Sequence, residues 1–169
     1  MKTLNNFVWV PTTKDMLEEK QWIEKKLESL DQKTIDELTR KAVKASENSY
    51  SPYSNYKVGV TLLCISGMIY ASCNAEVASY SETDHGEESV ITKAISEGEA
   101  IKSGRRFIEA IVVSHKSESG PFGRCRQIMA EHCDNALIID IDLHGNIKKI
   151  TSLKTLFPYS FTPTQLGFS

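Results

Sequence analysis

The 169-residue sequence lacks the features that mark several classes of protein. No apolar run approaches the roughly 18 residues that a membrane-spanning helix needs. The apolar stretch at residues 7–10 is too short for the core of a secretory signal. The 20 Lys and Arg nearly balance the 22 Asp and Glu, and the net charge of −2 gives no reason to expect a nucleic acid or a membrane surface as partner. We therefore predict a cytoplasmic protein.

Cysteine is also scarce. Cys64, Cys73, Cys125 and Cys133 are too few and too scattered for a disulfide framework in a chain of this length. In a reducing compartment each is a buried thiol, a reactive thiol or a metal ligand, and burial is the usual fate of a single cysteine. Repeats, low-complexity tracts and long linkers are absent, which favours one main domain.

The first third of the chain predicts two helices. Apolar residues at helical spacing mark the first, and we interpret residues 1–30 as a helical extension of a domain spanning residues 31–169. Asp31 is a suitable N-cap for the second helix, which we expect to end near Asn48. Its predicted inner stripe is Ile35, Leu38, Ala42 and Ala45.

Strands and helices alternate through the rest of the sequence. Hydrophobic alternation and turn residues predict strands at 56–62, 68–73, 107–114, 136–141 and 147–150. Helical patterns contain residues 90–95, 128–129 and 153–156. Two consecutive strands followed by strand and helix in alternation favour an α/β fold, a three-layer α/β/α sandwich with one mixed central sheet.

The residues with the most chemical potential lie at two predicted helix starts. His85-Gly86-Glu87 opens one helix and Cys125 opens the next, and in a mixed sheet both starts can meet at one edge. The free N–H groups of a helix start favour a thiolate and a developing anion. A His, a Cys and a Glu gathered there suit a zinc-bound water with a carboxylate proton shuttle. The alternative is ordinary first-turn polarity and packing.

Five segments in one order resemble the cytidine deaminase family, in its branch that acts on nucleosides. They are PYSNYKVG at 52–59, CNAEVASY at 73–80, HGE at 85–87, PFGRCRQ at 121–127 and LFP at 156–158. The resemblance extends from about residue 30 to residue 166. It implies the α/β/α fold, hydrolytic deamination of cytidine or a related pyrimidine nucleoside, a zinc cofactor and a homo-oligomer, either a tetramer or a dimer.

The family signature, H-x-E followed by P-C-x-x-C, implies roles for positions of this chain. Glu87 matches the proton shuttle, and His85 and Cys125 match two of the zinc ligands. Phe122 stands where the signature has its first Cys, and a phenyl ring cannot bind zinc. Catalytic zinc usually has three protein ligands, so the set is incomplete. Cys133 is no substitute, because it lies roughly 12 Å beyond Cys125 along a continuous helix.

The resemblance also implies how the substrate is bound. Asn74 and Glu76 match the pair that holds the ribose hydroxyl, and Tyr56 matches an aromatic residue that packs on the base. Gly86 stands where Ala is usual, at a position that acts through its backbone. Two further residues match positions at which a neighbouring subunit completes the pocket, namely Tyr80 and Phe161. Without the resemblance, these side chains would be interpreted as residues of strand packing, of a solvated loop, or of an interface or the core.

Three functions stay open on the sequence. In the first, which we favour, the protein binds zinc through His85, Cys125 and water or an unforeseen ligand, and it deaminates a nucleoside. In the second, a metal-free pocket makes the protein a nucleoside-binding pseudo-enzyme. In the third, Glu87 serves a metal-independent hydrolysis of a pyrimidine nucleoside or nucleotide. A free nucleoside is preferred over a polynucleotide, because no basic or aromatic track accompanies the motifs.

Overall fold

A mixed five-stranded sheet forms the middle layer of the structure. The computed structural model describes residues 13–117 and 119–168. The strands are β1 (Gly59–Cys64), β2 (Ile69–Cys73), β3 (Ile108–Ser114), β4 (Leu137–Ile141) and β5 (Ile147–Ser152). They lie in the order β2-β1-β3-β4-β5, with β3 and β4 parallel and the other neighbouring pairs antiparallel. The predicted mixed sheet is confirmed.

Helices cover both faces of this sheet. They are α1 (Thr13–Ser29), α2 (Gln32–Glu47), α3 (Gly86–Ser96), α4 (Glu99–Lys102), α5 (Gly123–Glu131) and α6 (Leu153–Leu156). Side chains of α1 and α2 pack with Leu137 and Ile139 of β4 in one apolar cluster. Side chains of α3 and α5 pack with Leu62 and Ile111 in the other cluster. The predicted α/β/α sandwich is therefore confirmed.

Helix α2 begins and ends where the sequence predicts. The Asp31 carboxylate accepts a hydrogen bond from Thr34 N at 2.6 Å. The Thr34 side chain and, to a smaller extent, this backbone N–H lower the pKa of Asp31. The buried stripe includes Ser46, however, and not the predicted Ala45. The reason is a close approach to β1, since a Cβ at Gly59 would lie 2.3 Å from Ser46 N. Only a glycine at the start of β1 lets the helix backbone come this near.

The first strand starts later than predicted, at Gly59 and not at Tyr56. Just before it, Val58 N donates to the Asn74 side chain at 2.9 Å, so a side chain takes the place of a ladder partner. Asn55 has a φ of 53°, in the left-handed region that Asn tolerates better than most residues. Residues 56–58 consequently form an approach to the sheet, and this approach becomes one wall of the site described below.

Helix α1 supports the sheet from the face opposite α3 and α5. Trp22, Ile23 and Leu27 pack on the cluster that contains Leu38 of α2, and Lys26 Nζ lies 3.2 Å from Glu109 Oε1. The helix predicted within residues 13–30 is thus present, whereas the apolar stretch at residues 7–10 lies outside the described residues. In the part of the chain that is described, no helix is both long enough and apolar enough to span a bilayer.

Candidate active site

A cavity of about 380 Å³ opens at one edge of the sheet. At this edge β1 begins, β2 and β3 end, and the N-termini of α3 and α5 meet. Most of the residues that line the cavity come from the loops at this edge; they are Ser54, Tyr56, Val58, Asn74, Glu76, Thr83, His85, Gly86, Glu87, Val113, His115, Ser117, Ser119, Gly120, Pro121 and Phe122. The edge of an α/β sheet where strands end and helices begin is a common place for ligands.

The start of α3 presents two of the predicted residues to this cavity. His85 is the N-cap residue in extended conformation, with φ −79° and ψ 147°, and its side chain makes no capping bond. Glu87 lies in the first turn and is 5% exposed. Gly86 between them packs directly on β1, because a Cβ there would lie 2.7 Å from Val60 Cγ2. The glycine thus lets the helix start sit against the strand.

The start of α5 brings the third predicted residue into contact with them. Cys125 is fully buried, and its Sγ lies 3.2 Å from His85 Nδ1. The two helix starts are tied together at the surface by Arg124, whose guanidinium donates to Glu88 Oε1 at 2.7 Å. The predicted meeting of His85, Glu87 and Cys125 is what the geometry shows.

Burial dominates the electrostatics of this group. It raises the pKa of Glu87, against the smaller lowering effects of its own backbone N–H, the Cys125 thiol and the His85 charge. Burial and the neighbouring Glu87 carboxylate raise the pKa of the Cys125 thiol. A cation placed among these groups would favour their unprotonated forms, because it replaces mutual repulsion by attraction.

The donor set of the group fits a zinc ion. One ligand atom each from His85, Glu87 and Cys125 lies within 4.8 Å of the others, and nitrogen, carboxylate oxygen and thiolate sulfur are the donors that zinc takes. Phe122 adds no donor. Its ring centroid is 5.5 Å from that of His85, and the residue is 69% exposed as the N-cap of α5. The aromatic ring therefore packs beside His85.

The other cysteines lie away from this group. Burial raises the pKa of Cys64 and of Cys133 to about 12, and Cys133 Sγ donates to Met129 O at 3.3 Å. All four cysteines are free. Within residues 13–117 and 119–168, no second group of three potential metal ligands is found. Neither Cys64 nor Cys133 therefore replaces the missing ligand. Cys133 lies beyond the end of α5 at Glu131, not on the continuous helix expected from the sequence.

Glu76, one of the predicted ribose-binding residues, lines the cavity as an ionised carboxylate. Its Oε2 accepts from Tyr53 N at 2.9 Å and from Ser54 N at 3.2 Å, and the Ser54 hydroxyl donates to Oε1. The Ser54 hydroxyl is the main cause that lowers the pKa of Glu76, followed by the two backbone N–H groups. Glu76 thus holds the loop around residues 53–54 while it faces the cavity.

Asn74 is equally bound to its surroundings. Its Oδ1 accepts from Ser49 Oγ at 2.6 Å and from Val58 N at 2.9 Å, and its Nδ2 donates to Tyr56 O at 2.9 Å. One amide N–H is left for a ligand. Asn74 and Glu76 therefore shape the loop that forms the cavity wall.

The remaining predicted residues divide between the cavity and the surface. Tyr56 and Gly86 line the cavity, whereas Tyr80 and Phe161 are 62% and 56% exposed and are absent from its lining. Gln127 Nε2 donates to Phe161 O at 2.6 Å and so holds the C-terminal segment against α5. The contribution of Tyr80 and Phe161 to a neighbouring subunit stays a prediction.

Sequence reasoning missed several cavity residues, of which His115 is the most deeply buried polar one. His115 is 3% exposed and follows β3 directly. One signal could have found it, because a polar residue just beyond the carboxyl end of a buried strand lies at the ligand-binding edge of such sheets. Ser117 and Ser119 follow it along the same loop and also line the cavity.

Comparison with known proteins places this geometry in a family. Residues 32–140 match the model of the cytidine and deoxycytidylate deaminase zinc-binding region. The chain is 34% identical to a cytidine deaminase of Sporosarcina psychrophila over 80% of this chain and 96% of that protein. It is 39% identical to one of Halalkalibacterium halodurans, over 77% and 96%. The crystal structure of a cytidine deaminase from Burkholderia pseudomallei superposes with a TM-score of 0.67 at 31% identity, covering 75% of this chain and 98% of that one. The chain belongs to the cytidine deaminase family.

Proposed function

We propose that this protein catalyses the hydrolytic deamination of cytidine or a related pyrimidine nucleoside, with zinc as its cofactor. The observation that carries the proposal is the meeting of His85, Glu87 and Cys125 beside a cavity of about 380 Å³, which His85 and Glu87 help to line. The membership of the chain in the cytidine deaminase family supports the same reaction.

The residues of the chain supply the acid–base steps. A zinc ion held by His85 and Cys125 would supply the Lewis acidity that makes water nucleophilic near neutral pH. Glu87 accepts the proton of the water that attacks C4 and delivers protons to N3 and to the departing amine, which leaves as ammonia. Burial raises the pKa of Glu87, which brings its proton affinity closer to that of the groups with which it exchanges protons.

The cavity walls supply the binding steps. In this proposal Asn74 and Glu76 hold the ribose hydroxyl, Tyr56 packs on the base, and Gly86 contacts the substrate through its backbone. The ionised state of Glu76 supports its role, because a carboxylate is a strong acceptor for a hydroxyl.

A metal-free nucleoside-binding protein is the second candidate, and one observation favours it. Phe122 brings an aromatic ring against His85 at the position of the absent ligand. With two conventional ligands, metal affinity depends on whether Glu87 or water completes the coordination. The cavity and its binding residues would remain in either case.

An assay of cytidine conversion to uridine in the presence of added zinc tests the proposal. Chromatography separates and quantifies the two nucleosides. We expect uridine from the wild type and a fall in kcat of about 10²- to 10⁴-fold in Glu87→Gln, the usual contribution of a general acid–base group. Glu82→Gln removes an exposed carboxylate outside the cavity and should leave the rate unchanged. Absence of conversion, with cytidine still raising the melting temperature, would support the second candidate. Conversion that survives a chelator would support the metal-independent hydrolase.

Assembly and location complete the proposal. We propose a homo-oligomer, a tetramer or a dimer, in which Tyr80 and Phe161 contact the neighbouring pocket; their exposure in the single chain supports this. A cytoplasmic location suits the four free cysteines. The net charge of −2 gives no reason to expect a nucleic acid or a membrane as partner. The family match from residue 32 onward supports a division into an extension, residues 1–30, and a deaminase-like domain, residues 31–169.

A further inference from the structure

A buried histidine that the proposed mechanism does not use lies in the wall of the cavity. His115 follows β3, is 3% exposed and lines the cavity together with Tyr56. Its backbone is fixed from two sides, since His115 N donates to Ile141 O at 3.1 Å and Lys148 Nζ donates to His115 O at 2.8 Å. A buried imidazole needs hydrogen-bond partners for its ring nitrogens.

Asp140 provides the partner on one side of the ring. It lies on β4, which pairs in parallel with β3, and its Oδ1 is 3.5 Å from His115 Nε2. The two side chains are 5% and 4% exposed, so water does not compete for the contact. Because a carboxylate accepts from an imidazole N–H, the contact with Asp140 assigns the ring N–H to Nε2 and leaves Nδ1 as the acceptor of the ring.

Two hydroxyl groups occupy the other side of the ring. Tyr56 Oη lies 3.1 Å and Ser117 Oγ 3.0 Å from His115 Nδ1, and these two hydroxyls also contact each other. Ser119 Oγ extends the chain at 2.6 Å from Ser117 Oγ. Since Nδ1 has one lone pair, one hydroxyl donates to it and the other bonds to its hydroxyl neighbour. The network therefore connects buried Asp140 to the hydroxyl end of Tyr56.

Tyr56 is held at its other end as well, because the Asn74 amide donates to Tyr56 O at 2.9 Å. A half-buried aromatic side chain that is free to rotate loses this freedom when a ligand packs on it, which weakens binding. A ring that is already fixed in the free protein avoids the loss. The network thus gives the Tyr56 ring one orientation before any ligand arrives.

We propose that His115, oriented by Asp140, is a positioning residue that fixes the Tyr56 ring to receive a pyrimidine base. The inference rests on the proposed function, because it takes the ligand of the cavity to be a pyrimidine nucleoside. The Tyr56 hydroxyl then bonds to the protein and not to the ligand. Loss of His115 matters to binding only while that hydroxyl is present.

A double-mutant cycle on ligand binding tests this. The probe is uridine, which the proposed reaction does not consume, and its Kd is measured by calorimetry on the full zinc-supplemented chain. His115→Ala should weaken binding about three- to ten-fold, the effect of one hydrogen bond. In the Tyr56→Phe background the same change should weaken it less than about two-fold, because the coupled partner is already absent. His115→Asn, whose amide oxygen can replace Nδ1 as acceptor, should restore binding to within about two-fold of the wild type.

The controls separate this inference from a structural role and from the proposed function. Tyr50→Phe removes the hydroxyl of an exposed tyrosine outside the cavity lining and should leave the Kd unchanged. Equal weakening by His115→Ala in both backgrounds would overturn the positioning role while nucleoside binding stood. A wild type that binds neither uridine nor cytidine would overturn the proposed function and this inference with it. If His115→Ala fails to fold, Asp140→Ala, which removes the acceptor for His115 Nε2, gives the same comparison in the same two backgrounds.

Discussion

Phe122 is the residue that sets this site apart from the family signature. As the N-cap of α5 it lies one helical turn before Cys125, and its ring faces His85 with 69% of the residue exposed. A thiolate at this position would be close to both proposed zinc ligands, His85 and Cys125, because residues three apart share one side of a helix start. The ring instead packs beside His85 and offers no donor to a metal.

Replacing Phe122 by cysteine should strengthen zinc binding. The new sulfur would provide a third conventional ligand, and we expect zinc affinity to rise by more than about ten-fold, since even an indirect supporting partner contributes that much. Competition with a chromophoric chelator measures the affinity. Phe168→Cys, at an exposed phenylalanine outside the cavity lining, is the matched control and should leave the affinity unchanged. Equal affinities for the wild type and Phe122→Cys would show that this position does not limit metal binding.

Individual site residues could be predicted from the sequence where they belong to a recognisable motif. His85, Glu87 and Cys125 belong to such a motif, and the structure brings them together. His115 and Asp140 belong to no motif, and they meet because β3 and β4 pair in parallel at a particular register. Register is a property of the folded sheet, so pairwise contacts across strands are not readable from a local pattern.

Among the elements, the contact between α3 and β1 positions His85 and the proposed proton shuttle Glu87 most directly. Val60 is fully buried, and its Cγ2 fills the space where a Cβ of Gly86 would stand. A small residue on the helix and a larger one on the strand therefore compensate each other here. The depth at which α3 sits on the sheet also fixes the heights of His85 and Glu87.

We expect Gly86→Ala to lower the free energy of unfolding by about 1–3 kcal/mol, the usual range for overpacking a core. Val60→Ala opens a small cavity and is destabilising for the opposite reason. The double variant should be more stable than the sum of the two losses predicts, by about 0.5–3 kcal/mol, because each change relieves the other. Urea denaturation of the three variants measures these energies. Strict additivity would mean that Gly86 and Val60 do not share this space.

The types of element were predictable because hydrophobic periodicity carries them. The predicted start of β1 was too early for a physical reason. Tyr56 and Val58 alternate as in a strand, but the backbone N–H of Val58 donates to the Asn74 side chain and not to a neighbouring strand. Ser46 is buried in α2 instead of the predicted Ala45 because the helix backbone comes close to Gly59. Both differences come from tertiary contacts that override local propensity.

In the whole molecule, support and chemistry lie on different sides of the sheet. Helices α1 and α2 cover one face, and α3 and α5 cover the other and begin at the cavity. The segments that form the site are separated by up to 69 residues, from Tyr56 to Cys125, yet they meet at one edge. The order of the strands and helices in the sequence predicts that these segments meet at one edge of the sheet. The shape of the cavity depends on side-chain contacts that only the folded structure shows.

The central claim of the proposal is that His85 and Cys125 hold a zinc ion beside the carboxylate of Glu87. Elemental analysis of the purified full chain tests it, with Cys125→Ser as the variant and Cys133→Ser, a second buried thiol outside the group, as its matched control. We predict about one zinc per chain in the wild type and in Cys133→Ser, and its loss in Cys125→Ser, because thiolate is the strongest of the donors. A wild type without zinc after exposure to the metal, or equal zinc in Cys125→Ser, would contradict the claim.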